Sequence, residues 1–366
     1  MIALAYHGPA DFRCDTVDDP AILEDGDAIV AVDLAAICGS DLHVWRGNET
    51  GLDLGTVLGH EMTGRVVATG RGVRRLKIGD RMMCPFSTSC GDCFFCARGL
   101  SARCERGLLF GWVERGRGLH GAQAELVRVP LADSTLLEVP DDLGPMQALV
   151  LGDVLATGWH CARMAEVGPG SVCVVIGCGP VGLMAVLAAH EQGAERVFAI
   201  DTVPERLALA ARIGAEPLDA RVTPPLDVVR DATAGRGADA VLEAVGSRAS
   251  GELAFELVRA GGTIAVVGVH HEASFPFSPG AAYDRNLTFR IGRCPARSLM
   301  AELIPVARRH AGLFDALFTH RVRFEDGPAA YAMFDARRDG CIKVALVPDS
   351  ATQRMADISH SQAAGS

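Results

Sequence analysis

Four cysteines lie within fifteen consecutive positions, at Cys90, Cys93, Cys96 and Cys104. Four thiolates this close can surround one zinc ion tetrahedrally, and a site with four protein ligands has no open position for a substrate. Disulfides, an iron–sulfur cluster and scattered core cysteines are the alternatives. Disulfides are disfavoured because the chain start does not resemble a signal peptide and because adjacent C-x2-C pairs would bridge under strain. An iron–sulfur cluster is disfavoured because the Cys-Pro of ferredoxin-type runs is missing. The spacing therefore favours a structural zinc lobe over residues 90–104.

A second set of candidate ligands is dispersed along the chain. Cys38 and His60 offer a thiolate and an imidazole, and Asp153 could add a carboxylate oxygen. Three protein ligands with one open position are typical of catalytic zinc. Spacing alone does not connect the three residues, and an isolated histidine is more often part of a core.

A glycine-rich turn follows a buried strand pattern and begins a helical one. It contains Gly177, Gly179, Pro180, Val181 and Gly182, in a G-x-G-x-x-G arrangement. The first glycine permits a tight turn, the second lets a pyrophosphate approach the backbone, and the third lets helix pack on strand. The free N–H groups of the helix N-terminus can then bind phosphate. This context predicts a dinucleotide site rather than an ordinary loop.

The next predicted strand ends in an acidic residue, Asp201, nineteen positions after Gly182. An acid at this place binds the ribose hydroxyls and repels a 2′-phosphate, so the sequence predicts NAD rather than NADP. Arg206 could flank the adenosine, or it could be a solvated charge on a helix.

The pattern of strands and turns divides the chain into two domains. Residues 1–150 show short alternating runs and frequent turns, which predict a mainly antiparallel β domain. Residues 151–290 alternate buried strands with helices, which predicts a doubly wound parallel sheet in an α/β fold. Residues 291–348 return to a mixed pattern that completes the first domain, and 349–366 are predicted to be a disordered tail. The four strands expected in the parallel sheet are 172–176, 197–200, 240–244 and 263–267.

Composition narrows the classes of function. The 366 residues carry a formal charge of −10, which disfavours nucleic acid and anionic membranes as partners. No apolar run reaches the length of a membrane span. Twelve cysteines without a recognisable leader suggest a reducing compartment, and we expect a cytoplasmic protein.

Taken together, the motifs resemble the zinc-containing medium-chain dehydrogenase/reductase family, the zinc alcohol dehydrogenases. Residues 59–64 (GHEMTG), continuing to Gly70 and Val73, match the zinc signature of that family, and the cysteine lobe and glycine motif follow in the same order. The resemblance covers about residues 1–348. Residues 109–112 (LFGW), 200–206 (IDTVPER) and 339–344 (DGCIKV) are similar to the formaldehyde-dehydrogenase-like branch. The resemblance implies a GroES-like catalytic domain joined to a Rossmann NAD-binding domain.

The resemblance also implies roles for the first ligand set. Cys38, His60 and Asp153 would bind the catalytic zinc, with an acid where the liver-type branch has cysteine. Glu61 would lie behind the metal and ligate it transiently. Ser40 and His43 match the proton relay of the family, although Ser40 could instead cap a helix and His43 could be a surface residue.

The family chemistry is hydride transfer between a zinc-bound alcohol, or a carbonyl in reverse, and NAD(H). Phe86 and Trp112 would line the substrate pocket, although Trp112 could be plain core, and Lys343 would approach the pyrophosphate. The resemblance implies two zinc ions per chain, a small alcohol or aldehyde as substrate, and a homodimer or homotetramer. The Rossmann domains would pair through a sheet edge.

Three other functions stay open at this stage. A polyol or amino-alcohol dehydrogenase of the same fold would differ only in pocket residues. A glutathione-linked formaldehyde dehydrogenase would need basic groups, for which Arg115 and Arg117 are candidates. A non-catalytic nucleotide-binding protein would not need the metal ligands. His270 and His271 follow the strand beside which the family places the nicotinamide, and the sequence assigns them no role.

Overall fold

The computed structural model describes residues 1–349 and separates the chain into two compact units. The first unit comprises Met1–Asp153 together with the chain from Pro295 onward, and the second comprises Val154–Cys294. The expected boundaries at 150/151 and 290/291 lie a few residues earlier. The predicted tail, 349–366, lies outside the described residues except for its first residue.

The first stretch of the first unit is mainly β-structure. Its strands are β1 (Ile2–Gly8), β2 (Asp11–Thr16), β3 (Ala28–Ile37), β4 (Glu61–Thr69), β5 (Arg81–Cys84), β6 (Trp112–Glu114), β7 (Arg117–Leu119), β8 (Leu126–Val129) and β9 (Leu137–Glu138). Its helices are α1 (Asp41–Trp45), α2 (Ala132–Thr135) and α3 (Pro145–Leu151), and short 3-10 turns lie at Cys96–Arg98 and Ser101–Arg103.

The second unit alternates helices and strands. Its helices are α4 (Val154–Met164), α5 (Pro180–Glu191), α6 (Pro204–Arg212), α7 (Pro225–Ala232), α8 (Arg248–Leu257) and α9 (Pro279–Asp284). Its strands are β10 (Val172–Ile176), β11 (Arg196–Asp201), β12 (Glu216–Asp219), β13 (Ala238–Glu243), β14 (Val258–Val266) and β15 (Thr288–Ile291).

The chain then returns to the first unit. This part holds α10 (Ala296–Arg309), α11 (Ala311–Leu317), β16 (His320–Arg323), a 3-10 turn (Phe324–Asp326), α12 (Gly327–Asp335) and β17 (Val344–Val347).

A seven-stranded sheet organises the first unit. Its order is β16-β17-β3-β4-β5-β9, and β8 also pairs with β3. Strand β3 is ten residues long and almost fully buried, and its isoleucine and valine side chains favour a strand. Strand β17 pairs antiparallel with β3, so the last described strand completes a sheet that begins near the start of the chain.

A six-stranded parallel sheet organises the second unit, in the order β12-β11-β10-β13-β14-β15. The predicted doubly wound fold is therefore confirmed. Strand order reverses between β10 and β13, and ligands of such sheets bind at that point, outside the carboxyl ends of the strands. Apolar side chains of β10, β11, β13 and β14 form the core of this unit.

No helix in the described part of the chain combines the length and the apolar character that crossing a membrane requires.

Candidate functional site

Four metal-binding side chains converge in the first unit. The ligand atoms of Cys38, His60, Glu61 and Asp153 all lie within 4.8 Å of one another. Cys38, Glu61 and Asp153 are buried, with at most 6% of each residue exposed. The structure thus brings together the three ligands implied by the resemblance and adds Glu61 to the same cluster.

Local backbone geometry explains how this cluster forms. Cys38 directly follows β3 and His60 directly precedes β4, and the antiparallel register of these strands pairs Ala36 with Glu61. Gly59 precedes the histidine with a φ of 86°, a left-handed conformation that glycine adopts without strain. Asp153 follows the end of α3 and closes the cluster from a distant part of the chain.

The spacing of the donor atoms fits tetrahedral zinc. The Asp153 Oδ2 atom lies 3.4 Å from Cys38 Sγ and 3.4 Å from His60 Nε2. Ordinary zinc bond lengths and tetrahedral angles give about 3.5 Å and about 3.3 Å for such pairs. Burial, together with the nearby Asp153 and Glu61 carboxylates, raises the pKa of the Cys38 thiol to about 11. A divalent cation at this point would neutralise that concentration of negative charge.

Glu61 forms a buried ion pair with Lys343. The Lys343 Nζ atom lies 2.7 Å from Glu61 Oε1 and 3.3 Å from the Ile37 carbonyl oxygen, and both charged side chains are fully buried. Burial raises the pKa of Glu61 against the opposing effect of Lys343, and Glu61 raises the pKa of Lys343 above its usual value despite burial. Lys343 therefore neutralises a carboxylate beside the metal cluster, and its expected contact with the pyrophosphate stays a prediction.

The other oxygen of Glu61, Oε2, is buried and has no hydrogen-bond partner among the described side chains and backbone. A buried acceptor without a partner is costly. Because Glu61 belongs to the donor cluster, a metal ion is the natural partner for this oxygen.

Asp41 is a site residue that the sequence analysis missed. Its Oδ1 atom lies 3.2 Å from His60 Nδ1, on the side of the imidazole ring away from Asp153. Although burial alone would lower the pKa of His60, Asp41 and Asp153 raise it well above its usual value. A carboxylate on the second ring nitrogen of a metal-binding histidine fixes its tautomer and orientation. The position of Asp41 three residues after Cys38 was the only signal in the sequence.

Of the two predicted relay residues, Ser40 directly precedes α1 and His43 lies within it. The Ser40 Oγ atom is 3.4 Å from His60 Nε2, so the hydroxyl faces the metal cluster. The side chain of Ser40 does not cap α1, which removes the alternative structural role. His43 is half-buried within α1, and its backbone N–H donates to the Ser40 carbonyl oxygen at 3.0 Å.

The two predicted pocket residues occupy different surroundings. Phe86 is buried and packs edge-on against the His60 ring, with 6.5 Å between ring centroids. Trp112 is half-buried in β6 and packs against the hydrophobic core of the first unit. Of the two, Phe86 is the one that the structure places against a metal-cluster residue.

The four cysteines of the lobe also converge, with all sulfur atoms within 4.8 Å of one another. The Sγ atoms of Cys90 and Cys96 are 3.9 Å apart, and those of Cys93 and Cys104 are 4.0 Å apart. Tetrahedral zinc with bonds of about 2.3 Å requires about 3.8 Å between sulfurs, whereas a disulfide requires about 2.05 Å. The geometry fits a closed zinc site.

The glycine motif forms the turn between β10 and α5. Gly177 has a φ of 87°, and a side chain on Gly182 would come within 1.7 Å of the Gly177 carbonyl oxygen. Pro180 and Val181 form the first turn of α5, where proline is favoured because its missing N–H would have no intrahelical acceptor. Gly179 precedes them as the residue that caps the helix, in extended conformation.

Asp201 lies at the carboxyl end of β11, beside this turn. Its Oδ2 atom accepts a hydrogen bond from the Cys178 N–H at 2.7 Å, and Oδ1 accepts from the N–H groups of Thr202 and Val203. The Arg206 guanidinium is 3.9 Å from Asp201, and its side chain is only 12% exposed. Arg206 is therefore not a freely solvated charge; it lies against the acidic residue of the nucleotide motif.

His270 and His271 differ in their surroundings. His270 Nε2 lies 3.4 Å from Oε2 of Glu243, a fully buried residue at the end of β13, and this contact raises the pKa of His270. The other Glu243 oxygen accepts from the N–H groups of Val245 and Gly246. His271 is exposed.

Comparisons with known proteins match this geometry. The family model for the alcohol dehydrogenase GroES-like domain matches residues 24–141, and the model for zinc-binding dehydrogenases matches residues 180–307. Zinc-type alcohol dehydrogenase B of Aspergillus flavus is 38% identical over 353 residues, covering 92% of this chain and 79% of that protein.

Two further relatives extend the comparison. The structure of alcohol dehydrogenase TADH from Thermus sp. ATN1 superposes with a TM-score of 0.88 at 38% identity, covering 95% of this chain and all of that one. A glutathione-independent formaldehyde dehydrogenase of Pseudomonas aeruginosa is 32% identical, covering 91% of this chain and 94% of that protein. With both zinc-donor clusters and the nucleotide turn present, the chain belongs to the zinc-binding alcohol dehydrogenase family.

Proposed function

We propose that this protein oxidises an alcohol, and in reverse reduces the corresponding carbonyl compound, with NAD(H) as the hydride carrier. The observation that carries the proposal is the buried donor cluster of Cys38, His60 and Asp153 in a chain that also has a dinucleotide turn after β10. Zinc held by these three residues would supply a Lewis acid that lowers the pKa of an alcohol and polarises a carbonyl.

The residues around the cluster then have distinct tasks. We assign to the Ser40 hydroxyl, which faces the cluster at 3.4 Å from His60 Nε2, the role of accepting the proton that the alcohol loses. His43 would pass that proton to solvent, because the imidazole ring can both accept and donate a proton. Glu61 would offer its unpartnered oxygen to the metal when substrate leaves. Phe86 would exclude water beside His60.

The two units divide this work between them. The first unit contains every proposed zinc ligand, so we infer that it is the catalytic domain. The second contains the glycine turn and Asp201 at the reversal point of a parallel sheet, so we infer that it binds the dinucleotide.

We infer selection of NAD over NADP from Asp201. When NAD binds, its carboxylate can accept from the adenosine ribose hydroxyls, whereas a 2′-phosphate would meet a negative charge. Arg206, 3.9 Å away, lies against that same carboxylate, which offsets the positive charge available to a phosphate.

Substituting Asp201→Asn should raise the ratio of kcat/KM for NADP to that for NAD by about 10- to 100-fold, because removing a like charge relieves about 1.4–2.7 kcal/mol of repulsion. Asparagine keeps an acceptor for the surrounding N–H groups, so the turn is preserved better than with glycine. Steady-state rates with both cofactors measure the ratio. Asp219→Asn, at the end of the neighbouring strand β12, serves as the control and should leave it unchanged. An unaltered ratio in the Asp201 variant would refute the assignment.

The experiment that tests the activity is a panel of initial rates of NADH formation. It contains short and long primary alcohols, secondary alcohols, polyols, and formaldehyde with and without glutathione. A clear preference among the alcohols supports the proposal and defines the substrate class. A rate that requires glutathione would support the formaldehyde alternative, for which Arg115, 90% exposed, is available. If zinc-replete protein turns over none of these compounds, the result contradicts the proposal that the protein is an alcohol dehydrogenase.

We also infer that the chain forms a homodimer or homotetramer through the edge of the second unit. Strand β15 ends the parallel sheet, and Ile291 on it is 53% exposed; Phe275, packed edge-on against Phe289 of that strand, is 59% exposed. An exposed strand edge beside apolar side chains is a typical site of pairing. Light scattering of the purified protein measures the mass. We infer a cytoplasmic location from the twelve cysteines, which form no disulfide within residues 1–349.

A further inference from the structure

The Asp41 carboxylate is held at both oxygens. Oδ1 lies 3.2 Å from the Nδ1 atom of His60, and Oδ2 accepts a hydrogen bond from the Cys38 N–H at 3.0 Å. The same carboxylate thus touches two of the three proposed zinc ligands. If the Asp41 carboxylate rotated, His60 and Cys38 would both lose their contact with it.

Two buried side chains from other parts of the sequence hold Oδ2 in place. The Tyr331 hydroxyl lies 3.2 Å from Oδ2, and the Gln123 Nε2 atom lies 3.4 Å from it. The two side chains are also joined, because the Tyr331 hydroxyl lies 2.8 Å from Gln123 Oε1. Both residues are fully buried, so no water competes for these contacts.

The orientation of the Gln123 amide is determined by a third partner. Its Nε2 atom donates to the Ala36 carbonyl oxygen at 3.1 Å, so the nitrogen must face Ala36 and Asp41 while the oxygen faces Tyr331. The opposite orientation would set an oxygen against two other oxygens. Gln123 also packs on the residue before the zinc histidine: a side chain on Gly59 would come within 2.3 Å of Gln123 Cγ.

We propose that Gln123 and Tyr331 are positioning residues for the catalytic zinc, acting through Asp41 on His60. They stop the Asp41 carboxylate from rotating, and Asp41 in turn fixes the tautomer in which His60 presents Nε2 to the metal. Partners behind a metal-binding histidine commonly change metal affinity by 10- to 100-fold. This inference rests on the proposed zinc site.

Zinc release from the intact, zinc-loaded protein tests it. Excess chelator with a colorimetric zinc indicator should resolve two phases, one from the catalytic site and one from the four-cysteine lobe. Tyr331→Phe removes only the hydroxyl, and Gln123→Met keeps the volume near Gly59 while removing the amide. Tyr6→Phe is the matched control, because Tyr6 is a buried tyrosine whose ring packs on Phe12 in the same aromatic cluster as Tyr331.

We expect both test variants to release zinc from the catalytic site about 10-fold faster, with the lobe phase and the affinity for NADH unchanged. Cobalt substituted into the catalytic site should show an altered visible spectrum in the same variants. Release within twofold of the Tyr6→Phe control, or a lowered Tm with unaltered release, would overturn the inference. If Tyr331→Phe fails to fold, the rate of zinc release from Gln123→Met decides whether the inference holds.

A separate variant distinguishes failure of the zinc assignment itself. Cys38→Ser should lose the catalytic phase altogether. If it retains both phases, the proposed metal site is wrong. If it loses one phase while Tyr331→Phe and Gln123→Met behave like the control, the metal site stands and the positioning role is wrong.

Discussion

Replacing Cys38 by serine should lower kcat/KM for alcohol oxidation by at least about 1,000-fold while leaving the affinity for NADH within about twofold of the unchanged protein. A serine hydroxyl is a poor zinc ligand, and without the metal no group in the cluster lowers the pKa of an alcohol. Metal polarisation contributes several kcal/mol to such reactions, and each 1.36 kcal/mol corresponds to a factor of ten in rate. The glycine turn and Asp201 lie in the other unit of the chain.

Three measurements check this prediction: NADH formation by absorbance, zinc content per chain, and NADH affinity by fluorescence. Zinc content should fall from two equivalents to one. Cys84→Ser is the matched control, because Cys84 is also a buried thiol of the first unit and lies outside both donor clusters. A hydroxyl can still donate to the Pro85 carbonyl oxygen, as the Cys84 thiol does. Turnover that survives in the Cys38 variant would show that the metal is elsewhere.

Replacing Lys343 by methionine should destabilise the first unit by about 3–5 kcal/mol, the cost of leaving a buried charge without its partner. The Glu61 carboxylate would keep its buried position and lose the ammonium group 2.7 Å away. Because methionine fills most of the lysine volume, the loss of stability measures the effect of the missing charge rather than that of a cavity. Urea unfolding, followed by the fluorescence of Trp45 and Trp112 in this unit, measures the change.

Two further variants make the interpretation specific. Replacing both Glu61 and Lys343 by methionine should recover most of the lost stability, because an apolar pair of similar volume needs no counter-charge. Arg13→Met removes one partner of an exposed ion pair with Asp11 and should change the stability far less than Lys343→Met, because water screens the exposed pair. A Lys343→Met loss as small as that of Arg13→Met would mean that the buried pair contributes little.

The sequence predicted best those parts of the site that depend on neighbours along the chain. The four lobe cysteines lie within one short segment, and the glycine turn is flanked by a strand and a helix whose patterns are clear. These features could be predicted because their chemistry depends on local spacing. Asp153 was connected to Cys38 only through the family resemblance, since 115 residues separate them.

Contacts between distant parts of the chain account for what could not be predicted. Tyr331 reaches Asp41 across 290 residues, and no periodicity or motif marks either as a partner of the other. The ion pair of Lys343 has the same origin. No motif in the sequence indicates that this lysine is buried against Glu61, 282 residues away. Burial of a charge is a property of the assembled sheet, and a sequence pattern does not contain it.

The return of the chain to the first unit has a consequence for biosynthesis. The second unit is one continuous segment, so it can fold as soon as residues 154–294 have left the ribosome. The first unit lacks β17, the neighbour of β3, until residues 344–347 have been translated. Lys343 and Tyr331 arrive shortly before these residues, and they complete the surroundings of Glu61 and Asp41. The mature metal centre is therefore a late product of synthesis, and its assembly reports that the whole catalytic domain has been made.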